Sequence, residues 1–170
     1  MAENEIRDVF VVGLRNAHAM ENQALSIMKP QLSRIETYPE VAAKLEQHIR
    51  ETEGQIARLE EVLDGLDESH SAFKDIALSF TGTMTAMGHT IAGDEILKNS
   101  FANFAFENFE IAAYKSLLTI ADAGSFSAAK TALQSNLAEE QAMAKWLDEN
   151  LAAVTRKFLL LREEGKTAKV

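Results

Sequence analysis

Apolar residues recur in alternating steps of four and three along four long stretches of the chain. The first runs Phe10, Leu14, Ala17, Glu21, Ala24, Met28, and the second Leu45, Ile49, Thr52, Ile56, Leu59, Leu63, Leu66. The third runs Phe104, Glu107, Ile111, Tyr114, Leu118, Ala121, and the fourth Leu133, Leu137, Glu140, Ala144, Leu147, Leu151, Val154. Such spacing keeps every position of a set on one helical face. Val and Ile stand singly rather than in alternating blocks, so no strand is expected. Breaks fall between the four patterns. Pro39, in Glu36-Thr37-Tyr38-Pro39-Glu40, separates a helix over about 4–35 from one over about 39–66. The polar stretch Asp67 to Ser71 ends the second helix. Phe73, Ile76, Phe80, Met84 and Met87 then recur at helical spacing, which predicts a shorter helix inside a long connection. Gly88, Gly93 and Asp94 precede a third helix over about 94–122. Gly124 to Ser127 makes a turn, with Ser127 the expected N-cap of a fourth helix from about 128 to beyond 150, reaching as far as 164.

This order predicts an all-α, ferritin-like four-helix bundle: two antiparallel hairpins joined by a long crossover containing a short helix. A plain up-down bundle with a stray short helix is the competing reading. Residues 1–165 read as one domain and 166–170 as a frayed tail.

Each seam carries a polar interruption. Glu21, Glu107 and Glu140 break three of them, and Thr52, beside Glu51, breaks the other. An ionised carboxylate buried without a partner costs several kcal/mol, so a core does not collect them without a countercharge. If the hairpins turn near 36–37 and near 124, Glu21 lies level with residue 52 and Glu107 with residue 141. The interruptions then meet at one depth, and bound cations are the simplest means of keeping them charged. Glu110 lies one turn beyond Glu107 on the same face. On the second helix His48, Glu51 and Glu53 compete for the site. The Glu-x-x-His pair of di-iron bundles is absent, while His18-x-x-Glu21 and His48-x-x-Glu51 show the reversed spacing. His18 can equally be a flanking polar residue. His70 and His89 fall in the connection. Tyr114 can hydrogen-bond a ligand carboxylate or simply pack. The expected metal ligands are Glu21, His48, Glu51, Glu107, Glu110 and Glu140.

Composition narrows the partners. The 170 residues contain no cysteine, which excludes disulfides, thiolate metal sites and cysteine nucleophiles. A net charge of −9 argues against binding to nucleic acid phosphates and to anionic membranes. The start MAENEIRDVF lacks the pattern of a signal peptide, no apolar run is long enough to span a bilayer, and a cytoplasmic location is expected.

The segments Asp8 to Phe10, Glu21 to Gln23, His48 to Glu60, Phe106 to Tyr114 and Leu137 to Gln141 resemble the YciF-type bacterial stress proteins, a ferritin-like, rubrerythrin-related family. The resemblance spans nearly the whole chain. It implies a dinuclear iron or manganese site, dimerisation and a role in stress response, with Glu21, Glu51, Glu107, Glu110 and Glu140 at the matching positions. The chain departs from the family where relatives carry histidine or glutamate, having Glu53 and Arg50 instead. It has Met143 and Ala144 beyond Glu140, and His18 where tyrosine is common. The site is therefore rich in carboxylates and poor in histidine, a set that suits iron or manganese at least as well as zinc.

Two functions follow. One is a di-iron oxidase or peroxidase-like protein that oxidises iron(II) or removes peroxide. It would need an external reductant for peroxide turnover, since the cysteines of a rubredoxin-like module are missing. The other is a structural or protein-interaction stress protein whose metal site is partial or only stabilising. Phe158-Leu159-Leu160-Leu161 favours it modestly, because one helical face cannot bury all four.

Overall fold

The structure, a computed structural model, describes residues 3–69 and 93–170. Four helices carry most of them: α1 (Glu3–Arg34), α2 (Pro39–Asp64), α3 (Glu95–Ala123) and α4 (Ser127–Glu163). Their bounds fall within about two residues of the apolar spacing. Pro39 opens α2, where its missing N–H leaves no bond unmade. Ser127 is the first residue of α4 rather than its cap. Phe126 holds the cap position with no side-chain bond, and its ring stacks on Phe10 at a centroid distance of 4.5 Å. An aromatic anchor to α1 replaces the expected hydroxyl cap.

Cross-helix pairs fix the topology. Between α1 and α2, Lys29 meets Glu53 and His18 meets Glu60, so these two run antiparallel. Asp122 with Lys130 and Tyr114 with Asn136 make α3 and α4 antiparallel. Glu21 with Tyr114, Gln31 with Asn103 and Arg34 with Glu95 set α1 against α3 in the same sense. Gln55 with Glu139 and Glu40 with Lys157 do so for α2 and α4. Hence α2 and α3 are parallel, and α3 begins at the end where α2 begins. The connection must return along a helix of 26 residues, about 39 Å at 1.5 Å per residue. This is the one-crossover connectivity of ferritin-like bundles, and the plain up-down reading is excluded. The short helix expected over Phe73 to Met87 lies outside the described residues.

Most of the core is apolar, with Phe10, Leu14, Leu59, Leu63 and Leu133 almost without exposure, each worth roughly 1.5–3 kcal/mol in removed surface. A second cluster of Tyr38, Ile96 and Val154 closes one end. Phe158 and Leu161 pack against it, while Leu159 and Leu160 remain exposed. The tail expected to fray instead docks here. Ala168 is buried, and its carbonyl accepts from Tyr38 Oη at 2.7 Å. The Lys169 carbonyl accepts from the Ile96 N–H at 2.8 Å, and the Val170 carbonyl from Thr37 Oγ1 at 2.7 Å. The first turn of α3 needs acceptors for its free N–H groups, and the tail's carbonyls supply one. No side-chain pattern announces such a contact.

Among the described residues no helix is long and apolar enough to cross a membrane. Removing the Tyr38 hydroxyl leaves the buried Ala168 carbonyl without its donor. A Tyr38→Phe variant is expected to lose about 1–2 kcal/mol, read as a lower urea midpoint at unchanged slope.

Candidate metal centre

At mid-height the apolar core gives way to polar side chains from all four helices. Glu21 and Glu140 are 0% exposed, His48 and Glu110 1%, and Glu107 2%. The imidazole stands among the carboxylates. His48 Nε2 lies 3.3 Å from Glu107 Oε2 and 3.5 Å from Glu140 Oε2. One donor atom from each of these three residues lies within 4.8 Å of the other two, a grouping that can hold a metal ion. Glu21 Oε2, Glu107 Oε2, Glu140 Oε2 and both oxygens of Glu110 are buried and accept no hydrogen bond. Buried oxygens are normally satisfied, so five such oxygens around a single imidazole leave a charge that protons or cations can meet. The donors fit hard or borderline divalent ions: carboxylate oxygens, one neutral-capable nitrogen and no sulfur.

Protons are what such a cluster must use when no cation is present. Burial pushes the Glu21 carboxyl up to about 8, the Tyr114 hydrogen bond offsetting part of that. Burial and then the Glu107 charge push Glu140 up to about 10. Burial, reinforced by the charges of Glu21 and Glu140, raises Glu110 well above the carboxylate range. For His48 burial works downward, but the Glu107, Glu51 and Glu140 carboxylates outweigh it and push the imidazole up to about 10.

Around the cluster, Tyr114 Oη donates to Glu21 Oε1 at 2.5 Å, which realises the hydrogen-bonding role weighed for it. Thr52, on the predicted seam, is buried with its hydroxyl donating to the His48 carbonyl at 3.0 Å. Glu51 stands one step outside, half-buried, its Oε2 3.1 Å from His48 Nδ1 and its Oε1 accepting from Gln47. That contact pulls the Glu51 carboxyl below its usual range. Of the three residues competing on α2, His48 enters the cluster and Glu51 borders it. Glu53 faces outward and pairs with Lys29 at 2.8 Å. His18 sits on the outer side with Glu60 at 2.9 Å, and His70 and His89 fall outside the described residues. Four further polar residues complete the surroundings: Gln55, which leans with His48 toward one side of the second seam, and Arg58, Asn136 and Glu139, which the seams do not single out. Gln55 and Asn136 immediately precede Ile56 and Leu137 of the predicted seams. The buried face is turned by one residue at this level, so both escape a strict apolar repeat.

The fold and this cluster define a class: a four-helix bundle with a buried histidine–carboxylate grouping able to hold metal. Within that class the chain belongs to the family described as domain of unknown function DUF892, whose model matches residues 5–160. It is 28% identical over 145 residues to the protein YciF of Escherichia coli strain K12, covering 81% of this chain and 84% of that protein. A solved protein of Xanthomonas campestris pv. campestris superposes with a TM-score of 0.78 at 30% identity, covering 93% of this chain and 99% of its own. The crystal structure of the E. coli stress protein YciF gives a TM-score of 0.75 at 23% identity, over 86% and 94%.

The raised values set a pH dependence for the metal-free protein. A group whose folded pKa exceeds its unfolded value contributes stability below the unfolded pKa that is lost as pH rises through the folded one. For Glu21 and Glu140 that window opens near 4.5 and runs to about 8 and about 10. His48 acts in the same direction between 6.5 and about 10. The melting temperature in chelator is therefore expected to fall by at least ~5 °C between pH 5 and pH 9. Scanning calorimetry checks this, and a melting temperature that rises over the interval would contradict the protonated cluster.

Proposed function

We propose that this chain is a ferritin-like metal-binding protein holding two iron or manganese ions in the bundle core. The observation that carries it is the set of five buried carboxylate oxygens that accept no close hydrogen bond and are gathered around the single imidazole of His48. Glu107, Glu140 and His48 form the better-defined half of the ligand set, and Glu21 and Glu110 supply the other oxygens. Glu51 is the proposed outer partner of His48. A carboxylate at Nδ1 leaves Nε2 free as the ligating nitrogen and holds the ring in place. Iron bound there would supply oxidation of iron(II) by O₂ or peroxide. The protein's part is to gather the charge, shield it from bulk water and hold carboxyl oxygens ready to accept protons. Peroxide removal would need an external reductant. A stress setting is proposed from the E. coli relative, which is described as a stress protein, and association as a homodimer is part of the same reading.

A second reading, an interaction protein with a merely stabilising site, draws on exposed apolar side chains. Leu159 and Leu160 project from the end of α4, and Val9, Val12 and Phe109 from α1 and α3. Gly13, Ala19, Phe109, Ala113, Leu117 and Ile120 line a mainly apolar cavity of about 250 Å³ between those two helices.

Elemental analysis and iron(II) oxidation separate the two. On the first reading the protein binds about two metals per chain, and Glu107→Ala with Glu140→Ala abolishes binding together with O₂ uptake. On the second, metal content is negligible and replacing either glutamate by leucine raises the melting temperature, because an unmatched buried charge has been removed.

A further inference from the structure

A hydrogen-bonded scaffold stands behind the cluster, and its chemistry fixes the direction of every bond. Arg58 can only donate. Its Nε donates to Asn136 Oδ1 at 2.5 Å, which turns the Asn136 amide nitrogen toward Tyr114. That nitrogen donates to the Tyr114 hydroxyl oxygen at 2.9 Å, so the single phenolic hydrogen is left for Glu21 Oε1 at 2.5 Å. On the other side the Gln55 amide nitrogen donates to Glu139 Oε2 at 3.0 Å and to Glu140 Oε1. Arg58 holds Glu139 as well. One oxygen of Glu21 and one of Glu140 are thus engaged by protein donors. The second oxygen of each is buried and accepts no hydrogen bond, that of Glu140 facing His48 Nε2 at 3.5 Å, and neither oxygen of Glu110 accepts one.

We propose that Tyr114 and Gln55 are positioning residues that hold Glu21 and Glu140 to one-oxygen coordination, leave Glu110 as the two-oxygen ligand, and so make the site select transition-metal ions over calcium. This rests on the metal-binding reading above. Calcium takes six to eight oxygens and relies on bidentate carboxylates, whereas iron and manganese accept an imidazole among fewer donors. Tying up two carboxylate oxygens lowers the count available to an ion without changing the net charge. Selection therefore comes from geometry, since every divalent ion meets the same carboxylates. Both donors are themselves restrained: Tyr114 through Asn136 and Arg58, and Gln55 through Glu139.

The test uses the full-length protein stripped of metal, with Mn²⁺ and Ca²⁺ as probes in titration calorimetry. Tyr114→Phe keeps the ring and removes the hydroxyl, and Gln55→Met keeps the length and removes the amide. Each variant frees one oxygen. The Ca²⁺ affinity relative to Mn²⁺ is expected to rise by about tenfold in each. In the Mn²⁺-loaded variants the infrared splitting of the carboxylate stretches should narrow as a further carboxylate binds through both oxygens. Melting curves report whether each variant folds, and if one does not, the other decides. Equal loss of both affinities, or an unchanged ratio with an unchanged infrared splitting, overturns the assignment while leaving the metal site standing. Failure of the unaltered protein to bind Mn²⁺ overturns the site and this inference together.

Discussion

Glu21, Glu107, Glu110 and Glu140 are almost without solvent exposure at the centre of this bundle, and that burial organises everything near them. Moving an ion-sized charge into a protein interior costs several kcal/mol even after relaxation. Three remedies exist: a proton, an opposite charge or a cation. Among the described residues His48 supplies the opposite charge in the cluster, with its imidazolium favoured by the carboxylates it faces. One imidazolium cannot balance four carboxylates. The remaining charge must be met by protons, which explains the raised Glu21, Glu110 and Glu140, or by ions. Protons and metal ions therefore compete for the same oxygens, and the state of the core depends on which is supplied.

Topology decides where this exchange can occur. Because α1, α2, α3 and α4 meet with every neighbouring pair antiparallel, mid-height is the one level at which all four helices face a common axis far from either end. The ends are sealed differently. Phe126 stacks on Phe10 at one, and Tyr38, Ile96 and the docked tail close the other. A cluster placed between two apolar plugs is shielded from solvent along the bundle axis. Its polar neighbours then have to come from the helices themselves, and Gln55, Tyr114 and Asn136 are the residues that do so.

Much of this was legible in the order of residues. Helix limits followed from Pro39, Gly93 and Gly124, and the hairpin turns placed Glu21 level with residue 52 and Glu107 level with Glu140. What escaped was angular. A four-and-three repeat names one line along each helix, while the buried face is wide enough to take residues on its flank, at about 100° per residue. By the middle of the bundle the buried positions are Gln55, Glu110 and Asn136 rather than the apolar Ile56, Ile111 and Leu137. His48 and Gln55 lie on one flank of Thr52 and Glu51 further round the same side, so His48 is inside and Glu51 at the rim. The docked tail was hidden for another reason, since its contacts use backbone carbonyls, which every residue possesses.

The choice between a functional and a merely structural centre turns on what the bundle forgoes by keeping it. Leucine at the positions of Glu107 and Glu140 would extend the apolar seams on either side and remove two desolvated charges. Replacing buried ionic groups by well-packed apolar ones is often neutral or stabilising by 1–4 kcal/mol. A protein needing only a rigid helical surface has no physical use for the more costly arrangement. The surrounding donors sharpen the point. Gln55, Tyr114 and Asn136 are buried polar groups whose own desolvation is offset only because they hold carboxylates or one another in fixed orientations. A second tier of polar side chains that orients the first is what a site requiring definite oxygen positions needs, and a core needing only stability does not.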